Sequence, residues 1–430
     1  MDKGGFQLEP TEATAASVPK AKPIRFLIAI FVLTRVLLYI TAYFGMNLFS
    51  DYTVPSEYEK VEWPGTFSQH MLLETDLSKT KLPTLGHFNT ADTFAYVNMA
   101  ENGYDEFRMD EDHPPANWVF FPLFPLVLRI FNALTGLDPV TVGLIVSNVF
   151  LLVSMIFLYR IGIERGLKDI EARIAVCLLL LAPASIFFAV PYTESMFLML
   201  ATGAVYYSLR GNWLPAFVFA GLTTVTRNVG FVIFAFTCGS LLLQHSFWKF
   251  RWRDTRLLGY FLIGCIPLST YLGYMKWLTG DFLAPIHEQL NWGRYTTFPF
   301  VSYVRYLMHP YFQTSSGWEN GLISFAIGTA ILLVFLGYLV YLIRHWREYS
   351  RPWQEALLFV AGVLLIVIPF SSGEHLASIP RYMTVIFPFY LYLVELFRRR
   401  LTVVAGYGLF SFMLHIVFTI GYFNRYLFVF

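Results

Sequence analysis

Apolar positions along this chain come in blocks, not in the alternation of a sheet or the one-sided stripe of a soluble helix. Residues 26–49, 140–159, 257–278, 322–343 and 401–420 each reach the roughly 20 residues that carry a helix across about 30 Å of hydrocarbon. With the shorter blocks between them, they predict an all-α polytopic membrane protein of about eleven transmembrane helices. The spans are 26–49, 140–160, 173–190, 192–209, 213–227, 229–245, 257–278, 320–343, 354–371, 382–397 and 401–427. The first block is too long for the apolar stretch of a signal peptide and lacks a convincing cleavage site, so it counts as a span. Residues 1–23 are polar and rich in Ala, Thr, Glu and Pro. They are expected to be a disordered cytoplasmic tail ahead of one transmembrane domain, 24–430.

Composition supports the membrane assignment. Of 430 residues, 56% are hydrophobic and 14% charged, against about a quarter charged in soluble domains. Aromatic residues make up 18%, and many lie at block ends, as interfacial belts do. A net charge of +2 gives no reason to expect nucleic acid. Cys177, Cys238 and Cys265 fall inside apolar blocks and read as small core residues.

Charge bias then orients the spans. Lys20, Lys22 and Arg25 precede the first span, which places the N-terminus in the cytoplasm. The stretch 50–118 holds roughly three acidic residues for every basic one and reads as an outside loop. Residues 120–134 are apolar but short, with two prolines and Arg129. Taken as a helix lying in the interface, they leave Arg160, Arg165, Lys168 and Arg173 inside. Every later basic cluster follows: Lys249, Arg251, Arg253 and Arg256; Arg344, Arg347 and Arg351; Arg398, Arg399 and Arg400. The two long loops, 50–139 with its interfacial helices and 279–319, then share the outer face, as do Tyr192, Glu194, Arg227 and the segment 374–381. Long loops over a helical scaffold are where a site is expected.

Residues 87–104 predict a short amphipathic helix that ends at Gly103, with Phe94, Val97 and Tyr104 toward the bilayer. Asp92 falls near its N-terminus, where the helix dipole favours a carboxylate. It is either a helix cap or a chemical group.

Asp92-Thr-Phe-Ala-Tyr96-Val-Asn-Met-Ala100-Glu-Asn-Gly103-Tyr104, followed by Phe120-Phe-Pro-Leu-Phe-Pro125, resembles the PIG-V family of polytopic mannosyltransferases in the GT-C superfamily. Ala182-Pro183-Ala184-Ser185 with Tyr192-Thr-Glu194-Ser195, and Thr226-Arg227-Asn228-Val-Gly230, are similar to further family segments. Gly280-Asp281, Gln289-Leu-Asn-Trp292-Gly293-Arg294 and Arg381-Tyr382 with Phe387-Pro388 are similar to its bacterial branch. The family usually has Trp before the Asp, where this chain has Thr90-Ala91. The resemblance implies a GT-C-like fold and inverting transfer of mannose or a related hexose. The donor would be polyprenyl-phosphate-linked, and the acceptor lipid-linked or part of the cell envelope. Asp92 would be the base that takes the acceptor proton. Arg227, Arg294 and Arg381 would hold the donor phosphate, since a guanidinium fork suits it, with His375 and Lys276 behind them. Tyr96, Tyr192, Glu194, Trp292 and His375 would shape the site.

Each of these has a plainer alternative: headgroup contact for Arg227, cation–π packing for Arg294, a span boundary for Arg381. Arg35, about 15 Å into the first span, reads as half of a structural ion pair. No His pair has metal-ligand spacing, so no metal or other cofactor is expected to be obligatory. The lack of an Asn-x-Ser/Thr sequon points to a bacterial plasma membrane. Two rival classes remain. A lipid or sugar transporter or flippase would gather ionisable groups at the midplane, and an accessory subunit would keep the fold without the base.

Overall fold

The computed structural model describes residues 22–49, 80–245, 255–314, 320–371, 373, 375–376 and 378–429. Residues 1–21 of the expected tail, the first part of the outer loop (50–79), Lys249, Arg251, Arg253 and Glu374 lie outside the described residues. Helix α1 (Lys22–Leu48) begins inside the stretch expected to be tail. Among the described residues every element is helical, apart from an isolated bridge between Gln313 and Asn320.

The amphipathic helix α2 (Asp92–Asn102) and α3 (Leu123–Thr135) follow α1, and then α4 (Pro139–Glu164) crosses back. Asp138 starts α4 by accepting the Thr141 backbone N–H at 3.0 Å, with Pro139 in the first turn, where a missing N–H costs nothing. Helices α5 (Asp169–Leu180), α6 (Thr193–Leu209), α7 (Trp213–Thr223) and α8 (Gly230–Gln244) are short, and α9 (Thr255–Thr279) is long. Across the second loop, which carries α10 (Val301–Met308), come α11 (Gly321–Arg344), α12 (Pro352–Phe370), α13 (Ile379–Thr384), α14 (Phe387–Leu396) and α15 (Leu401–Phe423). Every predicted span holds a helix. Six of them (α1, α4, α9, α11, α12 and α15) are long and apolar enough to cross a membrane by length and composition. The chain is an integral, multi-pass membrane protein.

The short helices have a physical cause. Pro183 and Pro191 interrupt the run between α5 and α6, and residues 182–193 form a buried, mostly non-helical passage. Irregular backbone at membrane depth is tolerated only where protein satisfies its polar groups. Here the Ser185 hydroxyl donates to the Leu180 carbonyl at 2.8 Å, the Ser195 hydroxyl to the Phe188 carbonyl at 2.7 Å, and the Asn148 amide to the Ala189 carbonyl at 3.1 Å. Gly143 lets α4 approach this passage, since a Cβ there would sit 2.5 Å from the Pro191 ring.

Helix α3 does not cross the bundle. Its first residue donates to the Val225 carbonyl at 3.1 Å, and Arg129, two turns on, donates to the Glu101 carbonyl at the end of α2 at 3.3 Å. Gly136, left-handed at φ +70°, ends it just before α4 starts. Both of its ends therefore stay at one end of the bundle, while Leu126, Ile130, Phe131 and Leu134 face outward. At the opposite end the basic residues gather. The buried Arg165 donates to Glu355 and Glu395, Arg351 reaches the Leu209 carbonyl, and Arg173 covers the Phe26 ring.

Arg35 differs from its expected role as half of an ion pair. Its guanidinium donates to the neutral Asn148 Oδ1 at 3.4 Å and lies 5.5 Å from the Phe31 ring centroid. It forms no salt bridge to a carboxylate among the described residues. In the interior, Ser185 Oγ and His415 Nδ1 form a hydrogen-bonded pair at 3.0 Å.

Candidate active site

Helix α2 delivers Asp92 in its first turn. Ala91, immediately before it, is held at φ +46°, a conformation that costs a non-glycine residue about 1–3 kcal/mol and tends to persist where surrounding structure enforces it. Asp92 caps nothing. Its Oδ2 accepts from Arg381 Nη1 at 2.6 Å, with the Asp92 side chain 24% exposed and that of Arg381 7% exposed.

Arg381, on α13, lies between two carboxylates, its Nε 3.6 Å from Glu194 Oε1. Glu194, in the first turn of α6, is buried and accepts from Arg227, which also donates to Thr193 Oγ1 at 3.2 Å. Asp92–Arg381–Glu194–Arg227 is thus one continuous chain of ion pairs, formally neutral. The two guanidiniums share the Tyr382 ring, 5.4 Å and 5.3 Å from its centroid, and Arg381 also covers Tyr192. Buried ions survive only when paired in this way.

Arg227 owes its place to Gly230. The chain turns from α7 into α8 so tightly that a Cβ on Gly230 would lie 2.0 Å from the Thr223 carbonyl oxygen. Gly230→Ala is therefore expected to displace the Arg227 turn. The check is a thermal-unfolding scan of the purified variant, where a midpoint unchanged from the parent would contradict this packing.

Loop residues close the other side. Glu288, fully buried, accepts the Ala116 N–H at 2.7 Å and the Asn291 amide at 3.0 Å, and the Trp292 indole donates to the Ala116 carbonyl at 2.8 Å. This clamp fastens the second outer loop to the first and brings Gln289 and Arg294 to the rim. Asp92, Tyr96, Glu194, Arg227, Arg294 and Arg381 all line one cavity of about 110 Å³. Tyr96 packs edge-on to Phe120, Phe124 and Tyr192. Burial first, and then the Asp92 and Glu194 carboxylates, hold its phenol above its ordinary pKa, so it stays a neutral hydroxyl.

Other expected site residues are not in the lining. Tyr192 is fully buried behind it. Trp292 belongs to the loop clamp and meets Phe120 edge-on at 5.6 Å. His375 is exposed against Tyr311, ring centroids 5.8 Å apart. Lys276 turns to the Gly280 carbonyl at 2.5 Å. Tyr104, expected on the bilayer, instead packs with Tyr271 and donates to the Phe120 carbonyl at 2.7 Å. Asn228 and Tyr382 join the lining; both sit in segments singled out in the sequence, but only as neighbours of an arginine.

Beside the cavity an apolar groove of about 540 Å³ runs between α2, α3 and α9, lined by Tyr104, Leu123, Leu126, Val225, Pro267 and Tyr271. Val225 adjoins Thr226 of the ion-pair cavity, so the two spaces are neighbours. No group of three or more potential metal-ligating side chains occurs among the described residues.

The multi-pass helical bundle, with loops folded over a charged cavity at one end, has the fold of a solved membrane protein. It superposes on ArnT from Cupriavidus metallidurans, solved bound to undecaprenyl phosphate, with a TM-score of 0.50 and 15% identity over 91% of this chain and 63% of that one. Residues 24–271 match the mannosyltransferase (PIG-V) family, and the chain belongs to that family. It is 27% identical over 229 residues to GPI alpha-1,6-mannosyltransferase 2 of Homo sapiens, covering 48% of this chain and 44% of the relative. The Cricetulus griseus protein of the same name is 32% identical over 168 residues, covering 35% of this chain and 32% of the relative. The matches thus span less than half the length of either relative.

Proposed function

We propose that this protein transfers mannose, or a related hexose, from a polyprenyl-phosphate-linked donor to an acceptor hydroxyl at the extracytoplasmic face, with inversion. Asp92 takes the proton of that hydroxyl as its oxygen bonds to the sugar C1. The bond from C1 to the phosphate oxygen breaks on the opposite side, and the lipid phosphate leaves with the electron pair. Arg381 and Arg294, with Arg227 behind them, meet the charge that develops on the phosphate, the kind of preorganised stabilisation that contributes most to such reactions. In this mechanism the arginines carry the charge, and no metal is obligatory. The apolar groove takes the lipid part of a substrate.

The observation that carries this reading is the convergence of a partly exposed carboxylate and three arginines on one cavity beside a lipid-sized groove. The side is argued from charge: the basic connections lie at the end of the bundle away from Asp92 and are expected in the cytoplasm. A transporter would hold its ionisable groups along a midplane path. Arg35 is the exception here, and hydrogen-bonds to a neutral amide.

The test is transfer by the purified full chain of radiolabel from polyprenyl-phosphate mannose to lipid-linked and cell-envelope acceptors. Labelled product with an inverted anomeric centre is expected. Donor movement across proteoliposomes without any transfer would favour the transporter class instead.

A further inference from the structure

The cavity as it stands is not ready for its reaction. Asp92 and Glu194 are matched against Arg227 and Arg381, so an arriving phosphate meets two arginines already committed to carboxylates. The base is equally committed, because its Oδ2 is taken up by the Arg381 guanidinium 2.6 Å away. Two buried polar atoms in the middle of the chain have no hydrogen-bond partner: Arg381 Nε and Glu194 Oε2. Unsatisfied buried groups of this kind call for an explanation. A missing ligand that offers acceptors to Arg381 and a hydroxyl to Glu194 supplies one.

We propose that Arg381 is a latch on Asp92 which the donor's phosphate opens, so that the base is released only when the donor is in place. The phosphate engages Arg381 through Nε and an Nη together, the bidentate geometry a guanidinium favours, and Asp92 loses its partner. Glu194 keeps Arg227 throughout, so the site exchanges one anion for another and leaves no buried charge unpaired. Asp92, 24% exposed on the side chain, then has its Oδ2 free to face the acceptor hydroxyl. Donor binds before acceptor, and an empty site holds no active base. This inference rests on the polyprenyl-phosphate reading above.

Affinity of the detergent-purified full chain for undecaprenyl phosphate, without any sugar, tests it through a double-mutant cycle. Asp92→Asn removes the charged competitor for Arg381 and should tighten binding about tenfold, the scale of coupling between groups in contact, even though it lowers transfer. In the Arg381→Gln background, where there is no latch, the same substitution should change affinity less than about twofold. Should Arg381→Gln fail to fold, Arg381→Met takes its place, with no buried donor left to satisfy. An equal gain in both backgrounds would mean simple repulsion between Asp92 and phosphate and would overturn the latch alone. No gain from Asp92→Asn in the parent chain would overturn it as well. No binding of undecaprenyl phosphate to the parent chain would overturn the donor assignment, and the latch with it.

Discussion

Asp92→Asn should lower the turnover of sugar transfer by about 10²–10⁴-fold, the usual contribution of a positioned general base, while the protein still folds. The amide keeps the shape of the carboxylate without its charge, so the loss is specific to proton uptake. Folding is not expected to suffer much, because Asp92 is the most exposed member of the ion-pair chain and Arg381 retains Glu194 3.6 Å away. The measurement is steady-state transfer with saturating donor, alongside the thermal-unfolding midpoint. If the variant kept more than about a tenth of the parent turnover, a value outside the general-base range, the proton would have to go elsewhere.

Glu194→Gln should act in the opposite manner, on the fold before the chemistry. Glu194 is buried at the junction of Arg227 and Arg381. Neutralising it leaves two guanidiniums to share Asp92 alone. Removing one partner of a buried ion pair costs about 3–5 kcal/mol, a large fraction of the 5–15 kcal/mol of a typical domain. The expected result is a marked fall in unfolding midpoint and in recoverable protein, with transfer lost in what remains. Glu194→Asp, which keeps the charge, should recover part of the stability. Equal midpoints for the Gln variant and the parent would show that Glu194 does not hold the two arginines in place.

The helices within the predicted spans, the position of α3 at one end of the bundle and the main polar groups of the cavity were legible in the sequence, because apolar block length and ordered motifs are local signals. The pairings were not. Arg227 and Arg381 were each expected at a phosphate. Nothing along the chain indicated that both would meet Glu194, which was expected only to shape the site. Glu288 is the sharper omission: an acid in a polar loop resembles any solvated acid until two loops fold over it and leave it fully buried. Trp292, within a motif block, and His375, placed behind the arginines, were expected to shape the site, yet neighbours in a loop point in different directions, and Trp292 went to the clamp. Arg35 was expected to find an acid because a mid-span charge usually does; here Asn148 and an aromatic face stand in for one.

Asp92 and Arg381 are 289 residues apart, and that separation bears on how the protein is made. At about 5–20 residues per second, Asp92 emerges from the ribosome about 15–60 s before the arginine that neutralises it. During this interval the helices between them are inserting, and the acid of α2 has no cationic partner from the completed site. Chains cut short before α13 therefore lack the arginine that pairs with the acid of α2.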